Sequence, residues 1–369
     1  MTVPFPAADM PVPRDYSLHG PSTQRAIEIG LAGAEWYHTD IPRKVMKDLM
    51  QRSDGPAMRD TIIWVMAHVL FAAGGIYFWG TWWCVPFWIG YGVLYGSACD
   101  SRWHECGHGT AFKTRWMNDV VYQIASFQVM RNPVAWRWSH ARHHTDTYIV
   151  GRDPEISFMR PPAVWKLTLA FIGIEGAWES LKIIFRQAAG SLSEDEKDYI
   201  PDSERGKAIF AARVHVAIYV ATIAAALAWW SIIPLMLIGL PRLYGCWHMV
   251  MCGLLQHGGL ADNVIDHRLN SRTLYMNPVS RWIYWNMNYH IEHHMFPMVP
   301  YHALPRLHEL VKNDYPAPNT SILQAYAEMI RAVRRQITDP EYYLRRDLPP
   351  GAKPYRDEFH NIILTRQGA

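Results

Sequence analysis

Nine histidines carry the chemistry open to this sequence. His104 and His108 stand in HECGH, His140, His143 and His144 in HARHH, His290, His293 and His294 in HIEHH, and His257 in LLQHGGL. Neutral imidazole is a strong ligand for iron, zinc or copper, and one such ion takes about four to six donors. Nine grouped donors therefore point to two ions. Residues three or four apart share a helix face, so each box can aim its rings at one place. His19, His38 and His68 stand alone and read as packed or solvated side chains.

Metal-binding imidazoles usually give their second N–H to an acid or a carbonyl, which fixes the tautomer. Glu105, Asp146, Asp153, Glu155, Asp262 and Glu292 lie near the boxes and are candidates for that role. Ion pairs with Arg102, Arg142, Arg152 and Arg268 are the alternative. Glu105 and Glu292, locked inside their boxes, are expected to support the rings.

The elements that must position these residues are apolar. Four stretches, 61–79, 80–98, 208–230 and 231–255, approach the ~20 residues a bilayer crossing needs. They read as two transmembrane hairpins, tipped by Trp79, Trp82 and Trp83 and by Trp229 and Trp230, a residue type that favours the headgroup level. Arg43, Lys44, Lys47, Arg52 and Arg59 precede the first span, and Arg102, Lys113 and Arg115 follow the second, which orients the rest of the chain to the cytoplasm. The N-terminus has no apolar core of the signal-peptide kind, so no cleaved leader is expected. His104 and His108 follow the second span and His257 follows the fourth. Helices that continue past the membrane would deliver these rings to one cytoplasmic layer.

The fold expected is an all-α integral membrane protein, two hairpins of four spans under a helical cytoplasmic cap that carries a dimetal site. Its divisions are a 1–60 cytoplasmic segment, a 61–310 membrane domain and a 311–369 cytoplasmic extension. The run from Trp165 to Arg186, interrupted by Lys166, Glu175, Glu179 and Lys182, reads as an amphipathic helix in the interface. Residues 190–206 read as an exposed connector, and 311–337 as a helix followed by Pro-rich chain.

Several function classes are excluded or demoted. A net charge of +3, with no basic block interleaved with aromatics, gives no case for nucleic acid. Cys84, Cys99, Cys106, Cys246 and Cys252 form no CxxC pair, which argues against a zinc ribbon or a cysteine-held cluster. HECGH satisfies the HExxH pattern of zinc metalloproteases, yet one zinc would leave the other boxes and His257 unexplained. GYGVLYG has the wrong spacing for a nucleotide loop and sits inside a span, where small residues serve helix packing. A metal carrier would place its ligands within the spans, which hold only His68, Arg213, His215, Arg242 and His248 as basic residues.

HECGH, HARHH and HIEHH, with the flanking RNPVAWRWSHARHHTDT and MNYHIEHHMFPMVPYHALPRLH, resemble the membrane fatty acid desaturase superfamily over about residues 60–310. That superfamily also contains alkane hydroxylases. The resemblance implies two non-haem irons on the box histidines, with His257 as an additional ligand, O2 as co-substrate and two electrons from a partner. It implies removal of hydrogen from an unactivated C–H bond. Loss of a second, vicinal hydrogen gives a double bond, whereas return of oxygen gives an alcohol. The same ligands serve both, and positioning to within about 1 Å decides. The activity expected is fatty acyl desaturation. The alternatives are hydroxylation of an alkane, fatty acid or other small aliphatic molecule, and, from another class, a zinc hydrolase using HECGH. The chain shows no haem-binding, flavin or cysteine-cluster motif, so electrons are expected from a separate ferredoxin or rubredoxin with its reductase. Arg131, Arg137 and Arg142 are candidates to dock it.

Overall fold

The computed structural model describes residues 14–364. Among these the regular structure is helical, apart from two isolated bridges, Thr273 with Tyr289 and Leu274 with Asn319. Three segments are long and apolar enough to cross a membrane: Arg43–Tyr77, Asp202–Ala228 and Ile233–His257. Helix Asp54–Tyr77 leaves Ile62, Met66, Val69 and Leu70 exposed, and helix Asp202–Ala228 does the same with Phe210, Val220, Ile223 and Leu227. In water such belts would drive association; against lipid tails they are at rest. Trp82 and Trp230 stand outermost, 89% and 95% exposed, as tip residues at a headgroup layer would.

The stretch expected as the second span, 80–98, is not one of the three. Gly80, Gly90, Gly92 and Gly96, with its aromatic residues, hold its hydropathy down. It is nonetheless helical from Cys84 and packs on Asp54–Tyr77 through glycine notches. A Cβ on Gly74 would fall 2.2 Å from the Phe87 ring, and one on Gly90 2.5 Å from the Phe71 ring. Helix Cys84–Val93 passes through a π turn, Leu94–Ala98, directly into helix Cys99–His108, which carries HECGH.

Glycine also sets where this helix meets the fourth stretch. A Cβ on Gly245 would lie 1.8 Å from the Gly92 carbonyl oxygen. Gly245→Ala is expected to lower stability by about 1–3 kcal/mol through overpacking, read as a fall in thermal midpoint in detergent micelles. An unchanged midpoint would mean that the two backbones do not touch there. The segment Ile233–His257 is itself broken. Helix Ile233–Leu237 gives way to Gly239 at φ +93°, Pro241–Gly245 follows, and Trp247–His257 brings His257 to its last position.

The predicted interface helix is two pieces, Val164–Leu169 and Ile174–Ala188. They are separated by Gly173 at φ +75°, where a Cβ would sit 2.5 Å from Cys246 Sγ. Its amphipathic character is evident: Trp165, Leu169, Ile174, Trp178 and Phe185 are exposed while Ala177 and Ile184 are buried.

One local expectation is refined and another corrected. Residues 190–206 are a largely exposed connector, as expected, but a helical one: a capping box between Ser193 and Glu196 starts helix Glu194–Tyr199, and the long helix begins at Asp202. Within it buried Glu196 accepts from Arg186 Nη2 at 2.6 Å and Gln187 Nε2 at 2.9 Å, while Glu194, Asp195 and Asp202 stay exposed. But no helix runs from 311. Leu304–Val311 ends there, and Ile322–Thr338 starts afresh behind the Ser321 side-chain cap. Its Met329 and Val333 pack with Leu255 and Phe158. The chain then returns over the box layer, where buried Arg268 bonds Asp266 and the carbonyls of Lys353 and Pro354.

Candidate metal centre

Three helices and one helix end supply the rings. His104 and His108 lie one turn apart on Cys99–His108, which Gly109 stops at φ +66°. The second box rides on helix Pro133–Thr145. Its N-terminus is fixed by Asn132, which accepts from Val134 N and Ala135 N and donates to Gln187 and to the Ala208 carbonyl at 2.7 Å each. The third is a short helix, His290–Met295.

These elements bring all nine histidines together. His104, His108, His140, His144 and His293 present ring nitrogens within 4.8 Å of one another, and His143, His257 and His294 form a second such group. His290 adjoins the second, with its Nε2 3.1 Å from that of His257 and 3.0 Å from that of His294. In the first group, His144 Nε2 lies 3.2 Å from His140 Nε2 and 3.1 Å from His293 Nε2.

The outer ring nitrogens fix several tautomers. His143 Nδ1 is 2.8 Å from Asp153, His140 Nδ1 3.0 Å from Glu155, and His257 Nδ1 2.7 Å from the Asn270 carbonyl. These partners only accept, so each Nδ1 donates and each Nε2 keeps its lone pair. Thr147 donates its hydroxyl to the His143 carbonyl and can accept from His294 Nδ1 at 3.3 Å. The lone pairs of His140 and His257 thus face other Nε2 atoms at close range. Two donors each about 2.1 Å from one ion and at right angles would lie about 3.0 Å apart, so the spacing fits shared ions.

All but one of these rings are also held in the neutral state a metal needs. Burial pushes His104 down to about 4 and His108 to about 3. It holds His140, His144, His290, His293 and His294 well below the usual range. For His143 burial lowers, but the Asp153 carboxylate outweighs it and leaves the ring above its ordinary value. Glu105 is fully buried, which lifts its carboxyl to about 7. Its Oε1 lies 3.5 Å from His104 Nδ1 and 3.6 Å from His293 Nδ1, so it links the first and third boxes.

Other acids do different work. Glu292 touches no box ring: it accepts from Thr273 at 2.5 Å and pairs with His308, so it braces the third box from behind. Asp146 pairs with Arg142 at 2.5 Å and Arg152 at 3.1 Å, and Asp262 with Arg14 and Arg160. Arg102, far from serving an acid, is buried against Trp64, Trp282 and Trp285. The proposed docking arginines are engaged as well: Arg131 with Asp100, Arg137 with Asp119, and Arg142 with Asp146 and Asp198. His68 bonds the Trp64 carbonyl at 2.9 Å and His38 that of Trp36, as packed or solvated side chains do. Sequence reasoning passed over Thr147, Asn270, His267 and His308. Thr147, three residues past HARHH, and His308, at the end of the motif that flanks HIEHH, had a positional signal.

A family model described as fatty acid desaturase matches residues 78–326, a span that takes in every one of the nine histidines. The chain belongs to the fatty acid desaturase family. This desaturase-family chain is 24% identical over 264 residues to an acyl-lipid (9+3)-(E)-desaturase of Dimorphotheca sinuata, covering 61% of the chain and 66% of the relative. It is 26% identical over 256 residues to an oleoyl-12-hydroxylase of Ricinus communis, covering 59% and 63%. A shorter match, 30% over 67 residues and 18% of each chain, is to an sn-1 acyl-lipid omega-3 desaturase (ferredoxin) of a Nostoc strain. The matches span 30%, 66% and 54% of the length of the first three curated relatives.

Proposed function

We propose that this chain is a membrane-bound, O2-dependent oxidoreductase acting on an aliphatic chain, and that its reaction is fatty acyl desaturation. One observation carries the reading: nine imidazoles, all buried but His108 and His144, converge as a group of five and a group of four. His104, His108, His140, His144 and His293 hold one iron, and His143, His257, His290 and His294 the other. When bound, the irons supply activation of O2, using two delivered electrons, and removal of hydrogen from an unactivated C–H bond.

The chain's own part is to hold and to seal. Asp153, Glu155 and the Asn270 carbonyl keep three rings turned with Nε2 inward. Trp103 lies edge-on to His104 and His140, and Tyr148 stacks on His257 at 4.4 Å, so apolar surface replaces water beside the rings. Asp153→Asn is expected to lower metal affinity about 10–100-fold, measured by chelator competition. Unchanged affinity would remove Asp153 from the support of the site.

The same reading keeps four spans. The stretch 80–98 crosses beside Asp54–Tyr77, and the flanking Lys and Arg residues put the boxes and both termini in the cytoplasm. Its partners are the bilayer, an acyl-chain substrate and a ferredoxin- or rubredoxin-type donor with its reductase.

Hydroxylation is the second reading, favoured by the relative named as a hydroxylase. A lipid-reconstituted chain given reduced ferredoxin and 18O2 separates the two. Loss of two hydrogens without 18O supports desaturation, and gain of one 18O replaces it by hydroxylation. Ester or amide cleavage that needs no O2 would overturn both in favour of a zinc hydrolase.

A further inference from the structure

A column of stacked rings runs from the surface to the second histidine group. Trp36, partly exposed, lies on His267 with ring centroids 4.3 Å apart and planes 9° from parallel. His267 is buried, and its other neighbour in the stack is His294, at 5.2 Å and 28°. His267 belongs to neither nitrogen group, so the metal reading leaves it without a task. The segment bearing Trp36, which lies outside any helix, is fastened in place. Tyr37 N donates to the Ile265 carbonyl at 2.8 Å, and the Arg268 guanidinium sits over the Tyr37 ring at 3.6 Å. Trp36 is therefore held against the column by its neighbours on the chain.

The other side of the centre is differently built. His108 and His144 are the two rings left partly exposed. A C–H bond must approach the metals through an opening, and a substrate seated there would block a protein carrier. The arginines once considered for docking are tied to acids. An approach away from that opening leaves substrate and carrier clear of each other, and the stacked rings provide one with π surfaces in contact throughout.

We propose that Trp36 and His267 form the electron-entry route, and that a one-electron iron–sulfur carrier docks over Trp36. This rests on the diiron reading above. Each reduced carrier is oxidised by one electron, and two carriers in succession reduce the metal pair by two. No bond is made or broken in the transfer, and no proton moves with it. The rings couple donor to acceptor and are left unchanged.

The test follows reduction of the iron-loaded chain in nanodiscs by stopped-flow absorbance. Two reductants are compared, reduced ferredoxin and the small methyl viologen radical. Trp36→Leu should slow reduction by ferredoxin severalfold while leaving the iron content and the methyl viologen rate at wild-type values. Trp36→Phe, which keeps a ring in the column, should recover much of the rate. Equal ferredoxin rates in Trp36→Leu and wild type would overturn the route and leave the diiron reading standing. Equal slowing with both reductants would also overturn it, by placing the defect at the metal site. A wild-type chain that takes up no iron would instead sink the reading beneath.

Discussion

Replacing His143 by alanine is expected to abolish the oxidised product and to empty the second histidine group of metal. The His143 ring stands 4.9 Å from that of His294 and 5.5 Å from that of His257, so its loss removes one donor of four. It also strands Asp153, whose side chain is fully buried and would keep the Tyr148 N–H at 2.8 Å and the Glu155 N–H as donors. Losing a partner from a buried polar group costs about 1–3 kcal/mol, so part of the effect will be on folding. The double variant His143→Ala/Asp153→Ala removes the stranded charge. It should recover thermal stability without recovering iron or product. Iron per chain, thermal midpoint and lipid mass spectra read the three quantities separately. Two irons and normal product in His143→Ala would end the ligand assignment.

The metal-free chain should lose stability as pH falls from about 6.5 to about 3. His104 and His108 have their folded values pushed by burial from 6.5 to about 4 and about 3. The unfolded chain therefore takes up protons first. The stability these rings contribute is complete above about 6.5 and is lost as pH falls through their folded values. Glu105 has the opposite sign. Burial lifts it from 4.5 to about 7, so its contribution is complete below 4.5 and is lost as pH rises through about 7. Metal loading should deepen the acid limb, because proton and metal compete for one lone pair. Thermal midpoints of metal-free and loaded protein across this range provide the check. A flat acid limb would mean that the rings are not held neutral.

The parts legible in the sequence were those with a short period. The box spacings announced rings on one helix face, and the apolar runs announced long helices. What escaped depends on tertiary contact. Glu292, locked inside its box, looked the better partner for a ring than Asp153, which stands outside one. Yet Asp153 meets His143 while Glu292 turns to Thr273 and His308. Arg131 looked free because its acid, Asp100, comes from another helix, whereas the nearest acid of Arg142, Asp146, stood one turn on along the chain. The helix inside the exposed run 190–206 escaped because it is short and charged, and only the buried Glu196 reveals what it binds. The break at Gly173 follows from the approach of Cys246, which no local pattern encodes.

The π turn at Leu94–Ala98 bears on the phase of the first box. Such a turn takes one residue more than an α-helical turn, so the faces of Cys84–Val93 and Cys99–His108 are out of step by one position. A single helical wheel drawn across both would misassign His104 and His108. One residue removed within the turn should restore an unbroken α-helix with the rings still facing their partners. One residue added would rotate them by about 100°. The two hairpin-side and centre-side halves of this helix are thus geared to each other, and that gear tolerates shortening better than lengthening.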